Sequence, residues 1–121
     1  GGVILRECHL GRDSLVAVTM VLNRMSQSKN TVSYIYNSLP QYKIVKDKIN
    51  IEGLDKNKLL SKVNDLFDGV ENNTIDGLKF IWDDKWIHLR SSNTEPIMRI
   101  YAEAASENVA KELVIKVKNL L

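Results

Sequence analysis

Arg90-Ser91-Ser92-Asn93-Thr94-Glu95-Pro96, running on into Ile97-Met98-Arg99-Ile100-Tyr101, is the stretch on which the reading of this chain turns. Two apolar, β-prone segments flank it, Trp86 to Leu89 and Ile97 to Ala102, so a rigid sheet would hold the loop's donors at one point. The guanidinium of Arg90 offers a fixed fork of N–H donors that fits a tetrahedral oxyanion. The short Ser, Asn and Thr side chains leave backbone N–H groups free to close on the same anion, and a phosphate ester is the natural guest. The same residue types also fill ordinary turns, and proline ends turns for steric reasons, so composition alone leaves both readings open.

Upstream, Gly77 to Arg90 reads as a hairpin. Leu78, Phe80 and Trp82 alternate on the way out, Asp83-Asp84 make the turn, and Trp86 to Leu89 return. Parity puts Ile87 and Leu89 on one face and Trp86, His88 and Arg90 on the other. His88 has no second His or carboxylate at ligand spacing and is read as a structural or surface residue rather than as one that assists charge neutralisation. Trp82 and Trp86 are read as sheet packing rather than a sugar platform. Downstream, the strand Ile97 to Ala102 leads through Ser106, a good N-cap, into a helix whose Val109, Leu113, Val117 and Leu120 face the sheet.

Asp55 to Phe67 is the clearest helix. Asp55 caps it, Leu59, Leu60, Val63, Leu66 and Phe67 form an apolar stripe, and Gly69 follows as a stop. Gln41 to Ile51 reads as a strand whose alternation slips at Ile44-Val45, which suggests a bulge or an edge position. Thr31 to Leu39 is a brief helix ended by Pro40. Together these elements make an α+β domain with a small antiparallel sheet covered by helices on one face.

Residues 1–30 have a different character. Val3-Ile4-Leu5 reads as a short strand, Gly11-Arg12-Asp13 as a turn, and Asp13 or Ser14 as the cap of a helix that is apolar on nearly every side through Leu15, Val16, Val18, Val21, Leu22 and Met25. Such a helix expects burial all round, which predicts packing against something outside this chain or self-association through residues 13–27. Ser26 to Asn30 is polar and reads as a linker. The expected division is therefore 1–30 and 31–121.

The totals narrow the function classes. One cysteine, Cys8, permits no internal disulfide and is read as buried or incidental rather than as a nucleophile. No run is long and apolar enough to span a membrane, so no membrane partner is expected and a cytoplasmic location is the default. The formal net charge is +2, with Lys and Arg interspersed among Asp and Glu, which suits a compact anion and argues against nucleic acid.

The string Arg90, Ser92, Asn93, Thr94, Glu95, Pro96 and Arg99 resembles the signature R-x-S-(G or N)-T-E-P-x-x-R of the C-terminal domain of the α-D-phosphohexomutases, which include phosphomannomutase, phosphoglucomutase and phosphoglucosamine mutase. Gly1-Gly2-Val3-Ile4 followed by the Gly11-Arg12-Asp13-Ser14-Leu15 helix resembles the end of that family's third domain. The resemblance implies a C-terminal piece of a longer enzyme, with residues 1–30 the remnant of the preceding domain and 31–121 a TATA-binding-protein-like phosphate-binding domain. It further implies that Arg90, Ser91, Ser92, Asn93, Thr94 and Arg99 hold the non-reacting phosphate of a phosphosugar. Arg99 has the alternative role of shaping the loop through Glu95. The family's catalytic serine and its Mg2+-binding Asp loop do not occur here, so this chain is expected to hold no catalytic residue, no metal ligand and no cofactor, and to be inactive alone. The resemblance leaves the identity of the hexose open. A stand-alone anion-binding interaction module is the competing expectation.

Overall fold

The computed structural model of the protein describes residues 2–121; Gly1, read above as part of a motif remnant, lies outside them. The chain divides into two compact units, one ending at Pro40 and one spanning Gln41–Leu121.

In the first unit, α1 (Ser14–Ser28) is capped by Asp13, whose Oδ1 accepts from the N–H groups of Leu15 and Val16 at 2.8 and 3.0 Å. The N–H of Val16 first, and the His9 ring second, hold the Asp13 carboxyl below the usual carboxylate range. The helix stops at Lys29, whose φ of 54° is the left-handed conformation that ends helices. A second helix, α2 (Val32–Ser38), is capped by Thr31 and packs on α1. Two expectations fail here. Val3-Ile4-Leu5 is not a strand, because among the described residues of this unit no partner strand completes a ladder with it. The polar run Ser26–Ser28 belongs to α1, leaving only Lys29 and Asn30 between the helices. The compact units meet after Pro40, whereas the sequence reading divided the chain at residue 30.

The second unit is an α+β domain. A five-stranded antiparallel sheet runs in the order β1-β5-β4-β3-β2, with β1 Lys43–Asn50, β2 Glu71–Asn73, β3 Leu78–Ile81, β4 Lys85–Ser91 and β5 Ile97–Ala104. Pairing between β1 and β5 is unbroken from Lys43↔Ala104 to Asn50↔Ile97. The slip at Ile44-Val45 is therefore no bulge: Ile44 lies on the open face and is 47% exposed, whereas Val45 packs on the core. Its edge position is as expected. The short edge strand β2 carries no hydrophobic signal and escaped the sequence reading.

Helices α3 (Lys56–Leu66) and α4 (Glu107–Lys118) supply the core of one face. Leu59 and Val63 of α3 and Ala110, Leu113, Val114 and Val117 of α4 are buried with Phe80, Ile87, Leu89, Met98 and Ile100 of the sheet. Phe67 joins them, its ring tilted against Phe80 at 5.0 Å and edge-on to Trp82 at 5.3 Å. Each side chain of this size contributes roughly 1.5–3 kcal/mol on burial, so this face holds the unit together. Strand parity then leaves Trp86, His88, Arg90, Arg99 and Tyr101 on the other face.

Candidate functional site

The loop Ser92–Pro96 joins the two central strands β4 and β5, so both its ends are fixed by continuous ladders. Its closure is backbone-made: the Ser92 N–H donates to Ile97 O at 2.9 Å and the Ile97 N–H to Glu95 O at 2.8 Å. Pro96 O accepts from the Ile51 N–H at 2.9 Å, tying the loop to the chain beyond β1. Ser92 Oγ lies 3.4 Å from both Thr94 Oγ1 and the Thr94 N–H, so these two residues form a local turn. Among the described residues no hydrogen bond uses the N–H groups of Asn93 and Glu95, which remain available to an anion.

The structure does not gather the six expected phosphate residues at one point. Arg90, Ser91 and Asn93 line one depression, together with Lys56 and Leu60 of α3 and Thr74, Asp76, Gly77, Leu89 and Met98. Ser91 Oγ is fully buried there and has no hydrogen-bond partner. Ser92 and Thr94 engage each other at the loop tip. Arg99 lies across the sheet, its Cα directly opposite that of Arg90, and lines a separate depression with Lys46, Asp47, Lys48, Glu95 and Tyr101. Among the described residues Arg99 forms no ion pair, so the contact with Glu95 weighed from the sequence is not made.

Sequence reasoning missed Asp76. Its Oδ2 lies 3.1 Å from Arg90 Nη1, with both side chains more than half in solvent or close to it. The segment carrying Asp76 is held from two further directions. The ring Nε2 of His88 is hydrogen-bonded to Asp76 O, which gives His88 its structural role. Gly77 follows with φ 90° and sits against Leu89 O, where no side chain fits. No periodicity or spacing pointed to Asp76, because it lies in a turn and meets Arg90 only through strand pairing.

The pairing also creates a charge pattern that the linear sequence hides. Lys48, Arg99 and Arg90 stand directly opposite one another on β1, β5 and β4, with Lys46, Tyr101, His88 and Lys79 in the neighbouring row. Like charges opposed in this way cost a fraction of a kcal/mol per pair, up to about 1. Trp86 is packed into the same face: its Nε1–H donates to Glu103 Oε1 at 2.9 Å and Lys79 Nζ lies 4.5 Å from its ring centroid.

Among the described residues no group of three or more His, Cys, Asp or Glu side chains is placed to hold a metal ion. Cys8 is an exposed free thiol. No helix among the described residues is long and apolar enough to cross a membrane.

Comparison with known proteins follows the same lines. The family model described as phosphoglucomutase/phosphomannomutase, C-terminal domain, matches residues 45–120. A phosphoglucomutase/phosphomannomutase of Thermococcus kodakarensis is 39% identical over 93% of this chain and 25% of its own length. A phosphoglucosamine/phosphogalactosamine mutase of Sulfurisphaera tokodaii is 33% identical over 100% of this chain and 27% of its own length. The crystal structure of a phosphoglucomutase/phosphomannomutase family protein from Burkholderia thailandensis superposes with a TM-score of 0.68 at 26% identity, covering 98% of this chain and 26% of that one. The chain thus spans about a quarter of the length of the relatives it matches. With the sheet order, the loop between β4 and β5 and these matches in agreement, the chain belongs to the phosphoglucomutase/phosphomannomutase family and carries its C-terminal domain.

Proposed function

We propose that this chain is the phosphate-holding C-terminal part of a phosphohexomutase, which interconverts sugar 1-phosphates and 6-phosphates. In this reading Arg90, Ser91, Ser92, Asn93 and Thr94 grip the phosphate that is not reacting, and Arg99 adds charge from the adjacent strand. The observation that carries it is the loop Ser92–Pro96 clamped between the two central strands, with an arginine at its entrance and the Asn93 and Glu95 N–H groups free. Fixed donors on a remote dianion position the far end of the substrate, and each 1.4 kcal/mol recovered in the transition state is worth about tenfold in rate. The remaining domains of the parent enzyme would supply the reacting serine, its metal and the sugar-reading loop.

The test is Arg90→Lys in the parent enzyme. A lysine keeps the charge but cannot make a two-pronged contact, so transition-state binding of a hexose phosphate is expected to weaken by about 1–3 kcal/mol, a fall in kcat/KM of roughly fivefold to 150-fold. Unchanged kinetics would remove Arg90 from the site.

A further inference from the structure

The ion pair between Arg90 and Asp76 sets a problem for an anion site. Of the charged side chains lining the depression that holds Arg90, Ser91 and Asn93, Arg90 and Asp76 cancel each other. The one remaining charge is Lys56. A phosphate monoester is close to a dianion at neutral pH, and a depression whose fixed charges sum to zero would not attract it over water.

We propose that Lys56, from the first turn of α3, supplies the net positive charge of this site and is a direct ligand of the bound phosphate monoester. The inference rests on the phosphate-holding reading above and adds a residue that lies outside the signature loop, far upstream in sequence. Lys56 is placed where its charge does nothing for its own helix. Asp55 caps α3 through the Asn57 and Lys58 N–H groups, and Lys56 follows at the positive end of the helix, where a cation is unfavourable. Its ammonium has no hydrogen bond or ion pair among the described residues, in contrast to Lys62, which donates to Leu120 O at 3.1 Å. Ser91 lines the same depression, and its Oγ, shielded from solvent, has no hydrogen-bond partner. A phosphate held in this depression would meet Lys56 and Arg90 together.

Lys58 is the control that the structure provides. It sits in the same first turn and carries the same charge, but lines a different depression with Gly53, Leu54, Asp55, Leu59, Lys62 and the C-terminus. The experiment is a titration of the 15N-labelled 121-residue chain with inorganic phosphate at constant ionic strength, read at the Ser91, Asn93 and Glu95 amides. Amide dispersion confirms that each variant is folded. Lys56→Gln is expected to weaken phosphate binding about five- to tenfold, Lys56→Arg to stay within about twofold, and Lys58→Gln to stay within about twofold, because charge loss at the helix end alone is screened. If Lys56→Gln binds as the wild type does while Arg90→Gln is weakened, the role of Lys56 is refuted and the loop reading stands. If Lys58→Gln weakens binding as much as Lys56→Gln, the effect is general electrostatics and the ligand assignment is refuted. If phosphate moves none of the loop amides in the wild-type chain, the phosphate-holding reading falls and Lys56 with it.

Discussion

Gly77→Ala is the substitution for which the structure gives the sharpest expectation. Gly77 has φ 90°, and a Cβ added there would lie 2.2 Å from Leu89 O, with Arg90 Cα and Leu89 C at 3.2 Å. The left-handed backbone alone costs an L residue about 1–2 kcal/mol. The contact with Leu89 O cannot be relieved by a side-chain rotation, because the obstacle is main chain. β3 must therefore move away from β4 beside the Leu78↔Leu89 pair, weakening a ladder hydrogen bond worth about 1 kcal/mol. The expected loss is about 2–4 kcal/mol, which for a domain of this size lowers Tm by roughly 10–30 °C.

Gly53→Ala is the matched control, since Gly53 has φ 72° but nothing within 4 Å of the added Cβ. It carries the same left-handed conformational cost without the main-chain clash or the weakened ladder bond, so it should lose about 1–2 kcal/mol less than Gly77→Ala. Urea unfolding followed by the fluorescence of Trp82 and Trp86 reports on the unit concerned. Equal stabilities for the two variants, within about 0.5 kcal/mol, would refute the close-approach argument. Moving Gly77 also displaces Asp76 from Arg90 and His88, so the folded variant should bind phosphate differently as well.

Two other outcomes follow from single contacts. Lys118 Nζ, 2.8 Å from Asp47 Oδ2, and then the Lys48 N–H hold the Asp47 carboxyl below its ordinary value of 3.8. A depressed folded pKa gives stability that is present above the unfolded value and lost as pH falls through the folded one. Both partners are substantially exposed, so the term is under about 1 kcal/mol, and Asp47→Asn should flatten the stability difference between about pH 6 and about pH 2.5 by that amount; an identical pH dependence in the variant would contradict it. On α1, Leu15, Val18 and Leu22 form a stripe that is 77%, 55% and 57% exposed. The separate chain is expected to sediment as dimers or larger species at high concentration and as a monomer after Leu15→Lys with Leu22→Lys; a monomeric wild type would refute self-association through this helix.

Much of the architecture is written locally and could be read from the sequence. The caps Asp13, Asp55 and Ser106 act within a few residues of their own position, and each accepts the amide bonds its type suggests. The alternation of β4 settles which of Ile87, Leu89, His88 and Arg90 face the core, because side-chain direction in a strand has a period of two. The loop itself was legible as a cluster of donors between two apolar runs.

What lay beyond reach was whatever depends on partners distant in sequence. β2 is three polar residues that become a strand only because β3 offers an open edge. Val3-Ile4-Leu5 has the right composition and stays irregular because no such edge lies beside it among the described residues. At the site, the tertiary structure alone decided that Asp76 meets Arg90, that Lys56 shares their depression, and that Arg99 stands apart from Ser91 and Asn93 in a row with Lys48. Charge proximity across a sheet is set by strand order and register, and these are fixed by packing of the whole core rather than by any local pattern.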